Sequence, residues 1–281
     1  MQQDHRSGAL RTVDQRPELE SPGRHDDVVH AATVHPDADG RFARRRPRVG
    51  LNDLVRVVSL VPSVTETLQA WGVVPVACTR FCERPDLPHV GGTKDPDIGA
   101  ITTLRPDLVI VDVEENRRED HESLVQRGVP VHVLHIRGIG DLDEQLGGLA
   151  TVLGSRWVPL GTLAVAAPRA TVFVPIWRRP WMALGSPTYG TSLLAVLGLA
   201  NVYGDAGSYP ATTLADARAR KPDLVVAPSE PYPFAPRHRA ELATVAPPVF
   251  VDGRDLLWWG ARTRAALTRL ADQLTTDRIH E

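Results

Sequence analysis

An α/β fold of two similar lobes, each around a mainly parallel sheet, is predicted by three features of this 281-residue chain. The first is a repeat. Arg105-Pro106-Asp107-Leu108-Val109-Ile110-Val111-Asp112-Val113-Glu114-Glu115-Asn116 returns as Lys221-Pro222-Asp223-Leu224-Val225-Val226-Ala227-Pro228-Ser229-Glu230. Each copy is a basic residue, Pro and Asp, then an apolar run too short for a helix, then carboxylates, which reads as a buried parallel strand. The second feature is that the flanks repeat: Gly128-Val129-Pro130-Val131 follows the first copy, Ala246-Pro247-Pro248-Val249 the second. The third is the alternation of strand and helix patterns, which implies parallel sheets with right-handed crossovers. Such sheets bind ligands beyond the C-terminal ends of their strands, where both repeats deliver acidic side chains.

Residues 1–52 are rich in Asp, Arg, His and Pro and carry no sustained period, so they read as a disordered tail. The first lobe spans 53–154. A strand is expected over 56–61, and Ser63 with Glu66 fits a capping box opening the next helix, which stops at Gly72. A strand over 73–77, a loop over 79–85 and a short helix over 97–104 lead to the repeated strand. A helix over 117–127, a strand over 129–136 and a helix over 141–153 complete the lobe. Residues 155–170 form the linker, where Pro159 and Gly161 interrupt any continuous helix.

The second lobe spans 171–281. It opens with a strand over 170–174 and a loop over 175–182. Ser186-Pro187 reads as a helix start, with Ser as cap and Pro at the first helical position. The second copy of the repeat, a helix over 237–244, a strand over 249–251 and a terminal helical region over 258–274 follow.

Composition is globular, with 42% apolar and 23% charged residues. A net charge of −2 offers no attraction to nucleic acid or to an anionic membrane surface. No stretch approaches the ~20 apolar residues of a membrane span. The first residues lack a signal-peptide core, and a cytoplasmic location is expected. Two cysteines, Cys78 and Cys82, are too few for a disulfide framework and are expected as free thiols. No zinc, dinucleotide or P-loop motif is present, and Ser63 lies outside any G-x-S-x-G pattern. Neither a catalytic constellation nor a metal site is expected.

Aromatic residues make up only 5% of the chain, yet the strand-end loops concentrate them beside charges. These loops hold Arg80 and Phe81; Glu115 and Asn116; Trp177, Arg178, Arg179 and Trp181; Glu230 and Tyr232; and Trp258 with Trp259. Rings offer contact area to a large, partly apolar ligand while charges fix its orientation. Burial in the core between the lobes is the competing reading for the tryptophans.

The stretches Arg56-Val57-Val58-Ser59-Leu60-Val61-Pro62-Ser63-Val64-Thr65-Glu66, Val90-Gly91-Gly92-Thr93-Lys94-Asp95-Pro96-Asp97 and Arg105-Pro106-Asp107-Leu108-Val109-Ile110 resemble the periplasmic binding proteins for vitamin B12, iron-siderophores and haem. Glu114-Glu115-Asn116-Arg117-Arg118-Glu119-Asp120, Pro175-Ile176-Trp177-Arg178-Arg179-Pro180-Trp181-Met182 and Pro228-Ser229-Glu230-Pro231-Tyr232-Pro233-Phe234 are similar to the branch called helical backbone metal receptors. The resemblance implies two Rossmann-like lobes joined by a helical linker, with the ligand in the cleft between them. It implies a metal chelate as ligand, a corrinoid, haem or ferric siderophore, and no intrinsic cofactor. Transport members carry a permease-docking Glu seven residues before the Pro of each repeat. Counting back reaches Gly99 and Ala215, so permease docking is not expected. An enzyme acting on a related ligand, with Glu115 or Glu230 as base, and a ligand-free scaffold are the alternatives.

Overall fold

The computed structural model describes residues 55–274; the tail expected over 1–52 lies outside them. Strand β1 (Val57–Ser59) leads to helix α1 (Pro62–Ala70), β2 (Ala77–Cys78), α2 (Ile98–Thr103), β3 (Leu108–Asp112), α3 (Arg118–Gln126), β4 (Val131–Leu134) and α4 (Leu142–Val152). The first sheet has the order β2-β1-β3-β4, all parallel. The second half runs β5 (Ala170–Phe173), β6 (Pro175–Arg178), β7 (Trp181–Ala183), α5 (Tyr189–Val196), β8 (Leu199–Asn201), α6 (Leu214–Ala219), β9 (Leu224–Pro228), α7 (Arg239–Leu242), β10 (Pro248–Val251), α8 (Gly253–Leu257) and α9 (Thr263–Gln273). Its sheet, β10-β9-β5-β8, is again all parallel, and β6 and β7 form an antiparallel hairpin beside it. The two-lobed α/β architecture with parallel sheets is the one the sequence predicts.

The repeated Pro-Asp pair has a physical role that is the same in both lobes. Arg105 (φ 47°) and Lys221 (φ 51°) turn the chain out of α2 and α6, and the following prolines prevent helix continuation. Asp107 Oδ2 then accepts the Arg56 N–H at 2.8 Å, and Asp223 Oδ2 accepts the Thr171 N–H at 2.7 Å. Each aspartate therefore ties the start of one central strand to its neighbour and sets their register.

Three local readings are corrected. Pro62 stands at the first turn of α1, whose N-cap is Val61 with no side-chain cap, so Ser63 lies inside the helix, buried, instead of capping it. The loop over 175–182 is the β6–β7 hairpin. Helix α5 begins at Tyr189 because Thr188, not Ser186, accepts a helix N–H, that of Thr191.

The linker is also corrected: residues 155–169 form neither helix nor strand. Pro159 and Pro168 lack N–H donors and Gly161 adopts φ 75°. The segment is a strap fastened by one carboxylate. Asp143 accepts from Trp157 Nε1 (2.8 Å), Leu160 N (2.7 Å) and Gly161 N (3.0 Å), and these donors hold its carboxyl below the usual range against the opposing effect of burial. A pocket of about 370 Å³ lined by Ile139, Gly140, Asp143, Gly161, Thr162 and Leu163 lies at this strap.

One apolar cluster runs through both lobes. Val57, Leu68, Ile110, Leu146 and Leu149 of the first share it with Val172, Leu193, Val226, Leu256 and Leu270 of the second. Polar ties reinforce it. Arg262 forks onto Glu66 (2.7 and 2.9 Å) and reaches Asp255 (2.8 Å), Ala261 N donates to Thr67 Oγ1 (3.1 Å), and Ile139 N donates to Ser192 Oγ (2.7 Å).

Candidate functional site

The strand C-terminal ends of the two sheets approach one another. At the β2 and β10 edge, Glu83 meets Arg254 at 2.8 Å; beyond β4, Ile139 meets Ser192 of α5. Between these ties lie the ends of β1, β3, β5 and β9, which carry most of the residues singled out from the sequence.

On the first lobe, Arg80 binds Asp95 through two contacts of 2.9 and 3.0 Å and lies 4.8 Å over the Phe81 ring. Its charge is thus largely matched within its own lobe. Phe81 is 50% exposed and presents an open face. Asn116 departs from its expected role. Its Nδ2 donates to Leu60 O (3.2 Å) and Thr93 O (2.9 Å), and its Oδ1 accepts from Asp112 N (2.9 Å). It braces the β3 loop and has no amide group left for a ligand.

The acidic end of β3 is organised by Asp112, buried at the strand terminus. It accepts the N–H groups of Glu114 (2.9 Å), Glu115 (3.3 Å) and Ile136 (3.3 Å). Burial, with the charge of Glu115 adding to it, pushes Asp112 up to about 8, against these N–H donors. Burial also raises Glu115; Lys94 opposes that shift and Glu114 adds to it. Lys94 Nζ donates to the Glu114 carbonyl at 2.8 Å. Tyr209 of the second lobe, 39% exposed as a whole residue, faces this group: partial desolvation of its phenol first, then Glu114, Glu115 and Asp112, push it up. It was not singled out from the sequence, because its loop after β8 carries no repeat or motif.

On the second lobe the aromatic residues pack against one another. Trp181 stacks on Phe234 (6.0 Å between centroids, 11° between planes), Tyr232 contacts Phe234 at 4.7 Å, and Trp177 meets Tyr232 edge-on at 5.7 Å. Trp177 donates its indole N–H to Arg179 O at 3.2 Å. Arg178 is engaged by Glu241 at 2.9 and 3.3 Å, leaving Arg179, exposed at the hairpin tip, as the hairpin arginine open to a ligand. Trp259 is corrected outright: at 4% exposure it belongs to the apolar cluster shared by the lobes.

Glu230, at the end of β9, is partly buried and is pushed up to about 7 by that burial. The Trp258 indole and Arg254 oppose the shift, and Asp252 and Glu83 add to it. Trp258 lies 5.5 Å from the Arg262 guanidinium. The structure therefore brings Phe81, Glu115, Tyr209, Glu230 and Trp258 to the facing strand ends, while Asn116, Arg178, Trp181 and Trp259 are occupied within the protein. Among the described residues no group of three or more His, Cys, Asp or Glu is placed to hold a metal ion, and no helix is long and apolar enough to cross a membrane.

Comparison with known proteins adds to this geometry. Residues 57–156 match the family model described as periplasmic binding protein. The vitamin B12-binding protein of Pectobacterium carotovorum is 23% identical over 247 residues, covering 78% of this chain and 88% of the relative. That of Yersinia pestis (strain Pestoides F) is 25% identical over 198 residues, covering 61% and 68%. The periplasmic vitamin B12 binding protein BtuF of Vibrio cholerae superposes with a TM-score of 0.63 at 17% identity, over 81% of this chain and 98% of that one. The periplasmic heme-binding protein BhuT superposes at 0.64 and 22% identity, over 80% and 98%. These relatives are themselves named as binding proteins. The first lobe thus matches the periplasmic binding protein family model, and the whole described chain shares the fold of the periplasmic vitamin B12- and heme-binding proteins.

Proposed function

We propose that this chain is a receptor that holds a metal chelate, a corrinoid, haem or ferric siderophore, between its lobes, as a member of the helical backbone metal receptor branch. The observation that carries the reading is the facing of two parallel sheets by their C-terminal strand ends, with Phe81, Glu115 and Glu230 presented there. The names of the relatives supply the ligand class. Phe81 offers ring area, Arg179 a charge for a peripheral carboxylate, and Glu115 and Glu230 acceptors, or donors when protonated, for peripheral amides and hydroxyls.

The same proposal places the protein in the cytoplasm, working without permease docking. Cys78 and Cys82 are adjacent free thiols, a state kept in reducing compartments. Gly99 and Ala215 occupy the second position of α2 and of α6, equivalent places in the repeat that lack the docking carboxylate.

Titration with hydroxocobalamin, haemin and a ferric catecholate tests the reading. Saturable binding of one of them, weakened by about 1–3 kcal/mol in Phe81→Ala, is expected. Because Phe81 is half exposed, that loss reports on ligand contact and not on folding. Absence of binding by all three would sink the receptor role. Subcellular fractionation of the native host checks the location.

A further inference from the structure

We propose that the cleft selects its chelate by charge, taking one that carries net positive charge or outward N–H donors and rejecting one with free carboxylates or other anionic groups. This rests on the receptor reading above and narrows it to a chemical class of ligand.

The cations beside the strand ends are matched by the chain's own acids. Arg80 holds both oxygens of Asp95, at 2.9 and 3.0 Å. Gly92 lies against this pair: an added Cβ would stand 2.7 Å from Arg80 Nη2 and closer still to Asp95 Oδ1. A side chain there would force the two apart, so the missing one keeps the guanidinium on its aspartate. Arg254 is held by Asp252 through Nε and Nη2 (3.2 and 3.1 Å) and by Glu83 of the other lobe through Nη1 (2.8 Å). Arg262 lies on Glu66 and Asp255, and Arg178 on Glu241. Arg179, at the hairpin tip, offers one guanidinium, enough for a single peripheral carboxylate and not for a polyanion.

The acids are not matched in this way. The repeated strands β3 and β9 each run out into glutamates, Glu114 and Glu115 on one lobe and Glu230 on the other. The cation that opposes the shift of Glu230 is Arg254, which already serves Asp252 and Glu83. Glu230 is also fixed in place. A Cβ on Gly253 would fall 2.5 Å from its N and its Cγ, and Gly253 N donates to the neighbouring Ser229 Oγ at 2.9 Å. On the first lobe Lys94, with Nζ on the Glu114 carbonyl, is one cation set against two glutamates. The N–H groups of those glutamates are spent on Asp112.

The facing strand ends therefore carry more carboxylate than cation. Burial already disfavours the charged forms of Glu115 and Glu230. A ligand ammonium or amide N–H relieves that cost, and a ligand anion adds to it. Repulsion of the wrong charge is then a source of specificity beside any attraction of the right one.

The test titrates the full chain at low ionic strength, where charge is least screened, with chelates in matched pairs. The pairs are a ferric trihydroxamate with a free ammonium group and its N-acetyl form, haemin diamide and haemin, and hydroxocobalamin and its derivative with one peripheral amide hydrolysed to a carboxylate. In whichever pair binds, the first member should bind about 3–10-fold more tightly. Glu115→Gln and Glu230→Gln should each narrow that ratio. Asp95→Asn, at a side chain 59% exposed, releases Arg80 and should tighten binding of the carboxylate-bearing members, a gain that damage to the fold would not produce. Equal affinities within a pair, or tighter binding of the second member, would overturn selection by charge and leave the receptor role standing. Failure of all six to bind would sink the receptor role and this inference with it.

Discussion

Replacing Glu230 by Gln should stabilise the protein at pH 8 and leave it unchanged near pH 4.5. Burial moves this carboxyl from an ordinary 4.5 to about 7, so the folded state favours the protonated form. The sign follows from linkage. Between those two values the folded chain holds a proton that the unfolded chain has lost, and stability falls as pH rises. At about 1.4 kcal/mol per pH unit the full penalty is about 3 kcal/mol. The side chain keeps part of its solvent contact, which reduces the expected gain to about 1–2 kcal/mol. Gln retains an oxygen to accept the Trp258 N–H, and Arg254 keeps Asp252 and Glu83 as partners, so little else changes. Urea unfolding of both proteins at the two pH values, with equal m-values, measures the difference. A variant no more stable than wild type at pH 8, or one whose advantage persists at pH 4.5, would refute the argument that burial sets this carboxyl.

Trp259→Ala should cost about 3–5 kcal/mol in urea unfolding, because the ring belongs to the core; a cost below about 1 kcal/mol would return Trp259 to the cleft surface. Arg262→Met should cost about 2–4 kcal/mol. It leaves Glu66 without its fork while Asp255, 3% exposed, keeps Arg269, and a loss abolished by moderate salt would contradict burial of the pair. Gly260→Ala should destabilise by more than about 1 kcal/mol. Gly260 sits at φ 110°, and an added Cβ would fall 2.1 Å from Thr67 Oγ1. Thermal melting at equal concentration reads that loss, and an unchanged midpoint would show that the α1 contact yields.

The fold was legible because its determinants are local and repeated. The Pro-Asp pairs at Pro106 and Pro222 mark strands by what a proline and a short β-branched run permit, whatever packs around them. The site was legible only as a set of loops. Asn116 looked free because its partners, Leu60 and Thr93, come from other segments, and Arg178 looked free because Glu241 is 63 residues away. Trp259 follows Trp258 directly, and nothing in their composition tells which ring turns inward. Glu230 was recognised as acidic, but its displaced titration arises from burial, a tertiary property. Only Pro159 and Gly161 announced the broken linker; its fastening by Asp143 depends on a helix start that precedes it.

The cluster shared by the lobes bears on how the chain is made. As the polypeptide leaves the ribosome, Leu146 and Leu149 of α4 appear long before Leu270 and Leu274, which complete the same cluster from the last described helix and its end. Until α9 has been synthesised, the inner faces of both sheets lack their final cover. Nascent chains therefore present part of that apolar surface to solvent until the last described helix has been made.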